Sequence, residues 1–263
     1  MNSMMRLRFL FLGFWLSLAS LQAQFVCFSD STTIYTFEGT QVPPMVGEAT
    51  FAYQHYRVIV GGKFLDPLHP EDEAIYNCDM LIIDHERQKT YILPLSYFPP
   101  FVDDQFAGVN YAYTMENDTA YVLGGYGYDL AKGYQTTFPT LTIFPVKTLI
   151  DSVLHYKDYL NLFQVVESDS RLAITEGTLV KIGDYFLVYN GREITPIEEE
   201  FTDCLTVNEW DFRGQLRKFS LKKTEGYLEV DELQICNTSK VFYQCMPDTW
   251  KKAPVRVYEL DRQ

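Results

Sequence analysis

The stretch "GGYGYDLAKGY", Gly124 to Tyr134, gathers Tyr126, Tyr128 and Tyr134 around Asp129. Flat aromatic rings beside a carboxylate suit a sugar, which offers CH faces for stacking and hydroxyls for hydrogen bonds. The competing structural reading is that these tyrosines pack their own loop. Arg171 adds a candidate anchor for an anion; its plain alternative is a surface arginine. A phosphate cradle would need the glycines to open a helix. Here they lead into Tyr126 and a polar loop, so Gly124 and Gly125 read as backbone punctuation.

Other reactive residues are scattered. His55, His69, His85 and His155 fall in a turn, a loop, a strand end and a helix. None pairs with a cysteine at ligand spacing, so no zinc site is expected. No serine sits in a strand-to-helix elbow, so a hydrolase triad has no anchor. Glu198, Glu199 and Glu200 are adjacent and do not alternate as calcium ligands do, so they read as a solvated loop. Asp103 and Asp104 read the same way. A carboxylate pair that converges only in space would escape this reading. The five cysteines, Cys27, Cys78, Cys204, Cys236 and Cys245, are odd in number and contain no CxxC. They read as mainly buried thiols with one bridge at most. No metal and no cofactor are expected.

The elements that would position these residues are strands. The chain carries 19 Tyr and 19 Phe, with short β-branched runs between turn residues. One order of elements recurs three times. Strands around 49–53 and 57–60 end on Gly61 and Gly62. The runs "NYAYTM" and "AYVL" end on Gly124 and Gly125. The segments 178–182 and 185–189 end on Asn190 and Gly191. Each copy continues through a polar loop to a third strand from Met80, Thr140 or Leu216, and a fourth from Thr90, Phe163 or Tyr227. Gly61 and Gly124 are 63 positions apart, Gly124 and Asn190 66. Four antiparallel strands per repeat is a propeller blade. Val146, Leu149, Ile150, Val153 and Leu154 form a helical stripe, read as one helix inserted on the outside of the second blade.

The fold class that follows is all-β, with three recognisable four-stranded blades and one inserted helix. The segments "RVIVGG", "TAYVLGG" and "YFLVYNG" resemble the kelch repeat of galactose-oxidase-like β-propellers. The longer stretch from Gly124 to Leu154 looks like an exported kelch-like group of Bacteroidetes-type bacteria. The resemblance covers about Gly47 to Val230. Its third copy has lost the first glycine, and Tyr91 or Phe163 stands where typical units carry tryptophan. The resemblance implies the scaffold alone. The copper site of galactose oxidase has no counterpart here, and a fold does not fix a function. Kelch-like propellers also include bacterial sialic-acid mutarotases, which supplies an enzymatic alternative.

Propellers close with four to eight blades. Three explanations compete for the shortfall. The ends, with "TIYTF" at Thr33 and "VRVYEL" at Val255, supply part of a fourth blade; two chains complete one ring as a homodimer; or the chain is a shortened relative. The last is favoured, because residues 236–263 fit no blade. The domain reading is 1–23 signal peptide, 24–46 N-terminal segment with a partial blade, 47–235 propeller blades and 236–263 atypical tail. Arg6, Arg8, the apolar run from Phe9 to Leu18 and a small residue at Ala23 have the form of a secretory signal. Export to the periplasm, cell surface or medium follows, with no integral membrane segment afterwards. Without Arg6 and Arg8 the 22 basic residues fall to 20, against 35 acidic ones. That excess repels phosphates and argues against nucleic acid. The functional expectation is a non-catalytic module that binds protein or glycan. A sugar or sialic-acid enzyme and an inactive copy are the alternatives.

Overall fold

The structure is a computed structural model that describes residues 24–26, 34–65, 75–166, 169–197, 206–212, 215–225 and 227–236. The signal segment, Cys27, His69, Glu198 to Glu200, Cys204, Cys245 and the stretch from Val255 lie outside the described residues.

The strands run β1 (Gln24–Val26), β2 (Ile34–Glu38), β3 (Met45–Val46), β4 (Ala49–Tyr53), β5 (Tyr56–Val60), β6 (Lys63–Phe64), β7 (Asp79–Asp84) and β8 (Lys89–Pro94). Helix α1 (Pro100–Phe106) follows, then β9 (Ala112–Glu116), β10 (Thr119–Leu123), β11 (Tyr126–Asp129), β12 (Tyr134–Thr137) and β13 (Leu141–Pro145). Helix α2 (Val146–Leu154) precedes β14 (Gln164–Val166), β15 (Thr178–Ile182), β16 (Tyr185–Tyr189), β17 (Arg192–Ile197), β18 (Thr206–Asp211), β19 (Leu216–Thr224) and β20 (Tyr227–Cys236).

The chain is mainly β, and three antiparallel sheets repeat one order. They are β4-β5-β7-β8, β9-β10-β13-β14 and β15-β16-β19-β20. The central strand β7, "DMLIID", is apolar throughout its middle because both of its faces are buried. Asn117 and Asp118 join β9 to β10 with φ of +48° and +62°, a two-residue turn whose twist suits a hairpin. The segment around Thr33 to Phe37 does not start a sheet of its own. Its described part, β2, pairs with β8, and β1 pairs with β2, so both extend the outer edge of the first sheet.

Three further features depart from the sequence reading. The loops after the glycine pairs are ordered: β11 pairs with β12, β17 with β18, and β6 returns to β3. A second helix, α1, holds Asp103 and Asp104, which were read as loop residues. It opens on proline, which suits a first helical turn, and buries Val102, Gln105 and Phe106. Helix α2 is not an outer appendage. Its stripe of Val146, Leu149, Ile150 and Val153 enters the core shared by the first two sheets.

That core centres on aromatics. Phe144 meets Phe51 at 5.5 Å, Phe106 at 6.0 Å and Phe163 at 5.2 Å between ring centroids. A second core lies between the second and third sheets, where Phe186 meets Tyr121 at 5.1 Å and stacks on Phe219 at 5.0 Å. Gln105 ties helix α1 to the second sheet. Fully buried, it donates from Nε2 toward the carbonyls of Val122, Gly124 and Thr140, and its Oε1 accepts from Thr142 at 2.6 Å.

The linkers that enter each sheet are built alike. Gly47, Asn110 and Glu176 each take a left-handed φ, +75°, +59° and +60°. The amide of Asn110 donates to the Gly47 carbonyl at 2.7 Å, and that of Glu176 to the Asn110 carbonyl at 2.8 Å. Val46 pairs with Lys63, Val109 with Tyr126 and Thr175 with Arg192. The first strands of the three sheets are thereby brought together at one end.

Candidate functional site

The rim where the linkers meet is built from two sets of equivalent positions. Asn110 and Glu176 precede the first strands of their sheets. Lys63, Tyr126 and Arg192 follow the glycines directly. The pairing of Thr175 with Arg192 sets Arg192 beside Glu176. The guanidinium Nη2 of Arg192 donates to Glu176 Oε1, and Asn110 Nδ2 lies 3.4 Å from the same oxygen. Both charged side chains stay partly in solvent, at 34% and 42%. Thr175 Oγ1 donates to the Asn110 carbonyl at 3.1 Å, which fixes the backbone beneath them. Tyr126 belongs to this rim. Its hydroxyl is held above the usual phenol range by burial first and by Tyr76 second. Tyr76 in turn carries Lys63 Nζ 4.8 Å from its ring centroid. The rim thus offers a planar guanidinium fork, a carboxylate, a carboxamide and aromatic edges.

A second concavity, a cleft of about 740 Å³, lies to one side. Phe101 and Asp104 of α1, Asp129 and Lys132 of the β11–β12 hairpin, Phe138, and Tyr227 at the start of β20 define it. Val165, Val166 and Leu228 add further apolar surface. Asp129 is tied to Lys132 at 3.0 Å, and its Oδ1 also accepts the Lys132 amide. Asp104 is raised above the usual carboxylate range. Burial is the main cause, then the charges of Asp129 and Asp103; a hydrogen bond from the Leu130 amide opposes them.

The five residues singled out in the sequence do not form one site. Tyr126 is at the rim and Asp129 lines the cleft. Tyr128 is exposed and donates its hydroxyl to the Gly133 carbonyl at 2.9 Å, which braces its own hairpin. Tyr134 lies opposite Asp129 in the hairpin register. Arg171 sits on the 3-10 turn Ser170–Leu172, 58% exposed, with Asp169 accepting from its Nε at 2.8 Å. The rim cation is Arg192 instead. Cys78 is an exposed free thiol rather than a buried one. Among the described residues, no three His, Cys, Asp or Glu side chains are grouped to hold a metal, and no helix is long and apolar enough to cross a membrane.

Sequence reading missed Asn110, Glu176 and Arg192, although a signal was there. Arg192 stands at the same offset from its glycine as Tyr126 and Lys63, and Asn110 and Glu176 stand 66 positions apart, as Gly124 and Asn190 do. Phe101, Asp104 and Tyr227 carry no such signal, because they belong to an insertion and a strand start.

The glycines are required by close approach. A Cβ on Gly61 would lie 2.1 Å from Tyr111 Oη, and one on Gly125 would lie 2.5 Å from the Tyr111 ring. The pairs hold φ of +63° and +99°, then +68° and +96°, and Asn190 with Gly191 repeats them at +59° and +97°.

No protein-family model matches this chain, and no curated protein matches it. Among solved structures, one titled "Structure of YjhT" aligns over 82% of this chain and 77% of that chain, with a TM-score of 0.43 and 10% sequence identity. At that distance the likeness bears on neither activity nor ligand.

Proposed function

We propose that this chain is an exported, kelch-type arc of three β-propeller blades that binds a glycan at the rim, without chemistry. The observation that supports it is the convergence of Arg192, Glu176 and Asn110, with Tyr126 paired through its backbone to Val109, the neighbour of Asn110. A planar fork reads paired hydroxyls or a carboxylate, and aromatic edges stack on the ring. Glu176 is engaged by Arg192, so the pair serves as a hydrogen-bonding platform rather than a free base. Calorimetry of the mature chain from Gln24 against neutral and acidic sugars tests this. Saturable binding that Arg192→Ala abolishes supports the reading; no saturable binding to any sugar refutes it.

A second reading is a sugar- or sialic-acid-converting enzyme of mutarotase type. The meeting of an arginine with a glutamate at the rim is the feature that favours it. Exchange between sugar anomers, followed by magnetisation transfer, decides between the two. Acceleration by the protein that disappears in Glu176→Gln makes the rim catalytic; an unchanged rate leaves it a binding site.

A further inference from the structure

The side cleft is chemically unlike the rim. Its walls are aromatic and aliphatic. Phe101 and Tyr227 flank it while remaining 72% and 75% exposed, a large apolar area to leave in water. One end is acidic. Asp129 spends its charge on Lys132, but Asp104 has the carboxylates Asp103 and Asp129 as its charged neighbours and forms no salt bridge among the described residues. A half-buried carboxylate without a cation is unfavourable, and it is relieved by a cation delivered from outside. Aromatic faces add attraction for the same group. The volume lies within the about 300–1,000 Å³ of small-ligand sites.

We infer that this cleft binds a short peptide segment in which a basic side chain sits among apolar ones. The ammonium or guanidinium pairs with Asp104, and the apolar neighbours lie against Phe101, Phe138 and Tyr227. The overall acidity of the chain, net −13, steers such a segment toward it.

Acetyl-Leu-Lys-Leu-amide is the probe, with the same peptide carrying norleucine for lysine as its control. Both are titrated by calorimetry into the mature chain and into Asp104→Asn and Tyr227→Ala, whose folding is checked by thermal melts. Arg171→Ala serves as an outside control. The expected result is binding at least tenfold tighter for the lysine peptide, weakened at least fivefold by each cleft variant, unchanged in Arg171→Ala and reduced by salt. Equal binding of the two peptides, no saturable binding, or indifference to Asp104→Asn overturns the inference. Saturation by a neutral oligosaccharide with no response to the lysine peptide reassigns the cleft to sugars and overturns it as well. Because the rim residues are untouched, the result stands apart from the outcome of the glycan titrations.

Discussion

The carbonyl oxygen of Ile174 lies 1.9 Å from where a Cβ on Gly124 would stand. Ile174 belongs to the linker of the next sheet, and its carbonyl accepts the amide of Gly125 at 2.9 Å. One glycine therefore lets one sheet seat on the next.

Gly124→Ala should cost about 3 kcal/mol or more, because backbone must shift as well as a left-handed φ be strained. Gly183 separates the two effects. Its φ is +57°, and a Cβ there meets nothing within 4 Å. Gly183→Ala should cost only about 1–2 kcal/mol. Urea unfolding of both variants checks this. Equal losses would show that the contact with Ile174 contributes nothing.

Arg217→Met combined with Glu193→Gln should raise stability by about 1–2 kcal/mol. Arg217 is 2% exposed, and neither Nε nor Nη1 has a hydrogen-bond partner among the described residues. It lies 3.9 Å from the Phe212 ring centroid. Desolvation pulls its pKa down to about 10, and the nearby Glu193 charge only partly opposes this. A methionine keeps the volume and removes the charge. A destabilised variant would show that the Glu193 charge and the Phe212 ring more than offset the desolvation of this guanidinium.

Cleft binding should weaken on acidification sooner than an ordinary aspartate would allow. The Asp104 carboxyl is raised, so it takes up its proton above the usual value of about 3.9 and loses its charge there. Asp103 and Asp129 face it with like charge, and Lys132 is paired with Asp129. Affinity for the lysine peptide should begin to fall at a pH above the ordinary aspartate range, while the norleucine control stays flat. A pH-independent lysine titration would remove Asp104 from the contact.

The chain should be a monomer. Asn190 stands where Gly61 and Gly124 stand, at positions where a Cβ would meet Tyr111 Oη or the Ile174 carbonyl of the following linker. Asparagine tolerates the left-handed φ, but its Cβ bars a further linker from seating in the same way. A partner copy could not close a ring in that register. Light scattering gives the answer directly, and a stable dimer would refute the argument.

Much of the fold was legible because strand periodicity and glycine position are local. The twelve strands of the three repeated sheets lie where alternating apolar runs and turn residues place them, and Val146 to Leu154 declares its helix by period. Helix α1 was not legible. Seven residues led by prolines hold under two turns, too few for a period to show. The rim was legible only in part: Arg192 repeats the offset of Tyr126 and Lys63 from the glycines, but the meeting of Asn110 with Glu176 depends on the stacking of two sheets. Tyr128 keeps its ring exposed while its hydroxyl braces its own hairpin, a pairing that only the folded hairpin shows.

Strand β11 carries Tyr126 at one end and Asp129 at the other, so the rim and the cleft share a single strand. Thr137 on β12 accepts the Ile194 amide at 2.8 Å and donates back to the Ile194 carbonyl, which joins this hairpin to the one that begins with Arg192. A ligand that shifts the equilibrium position of the hairpin from one side changes the affinity on the other. Thermodynamic linkage makes that influence mutual: whatever factor a peptide in the cleft confers on a sugar at the rim, the sugar returns to the peptide.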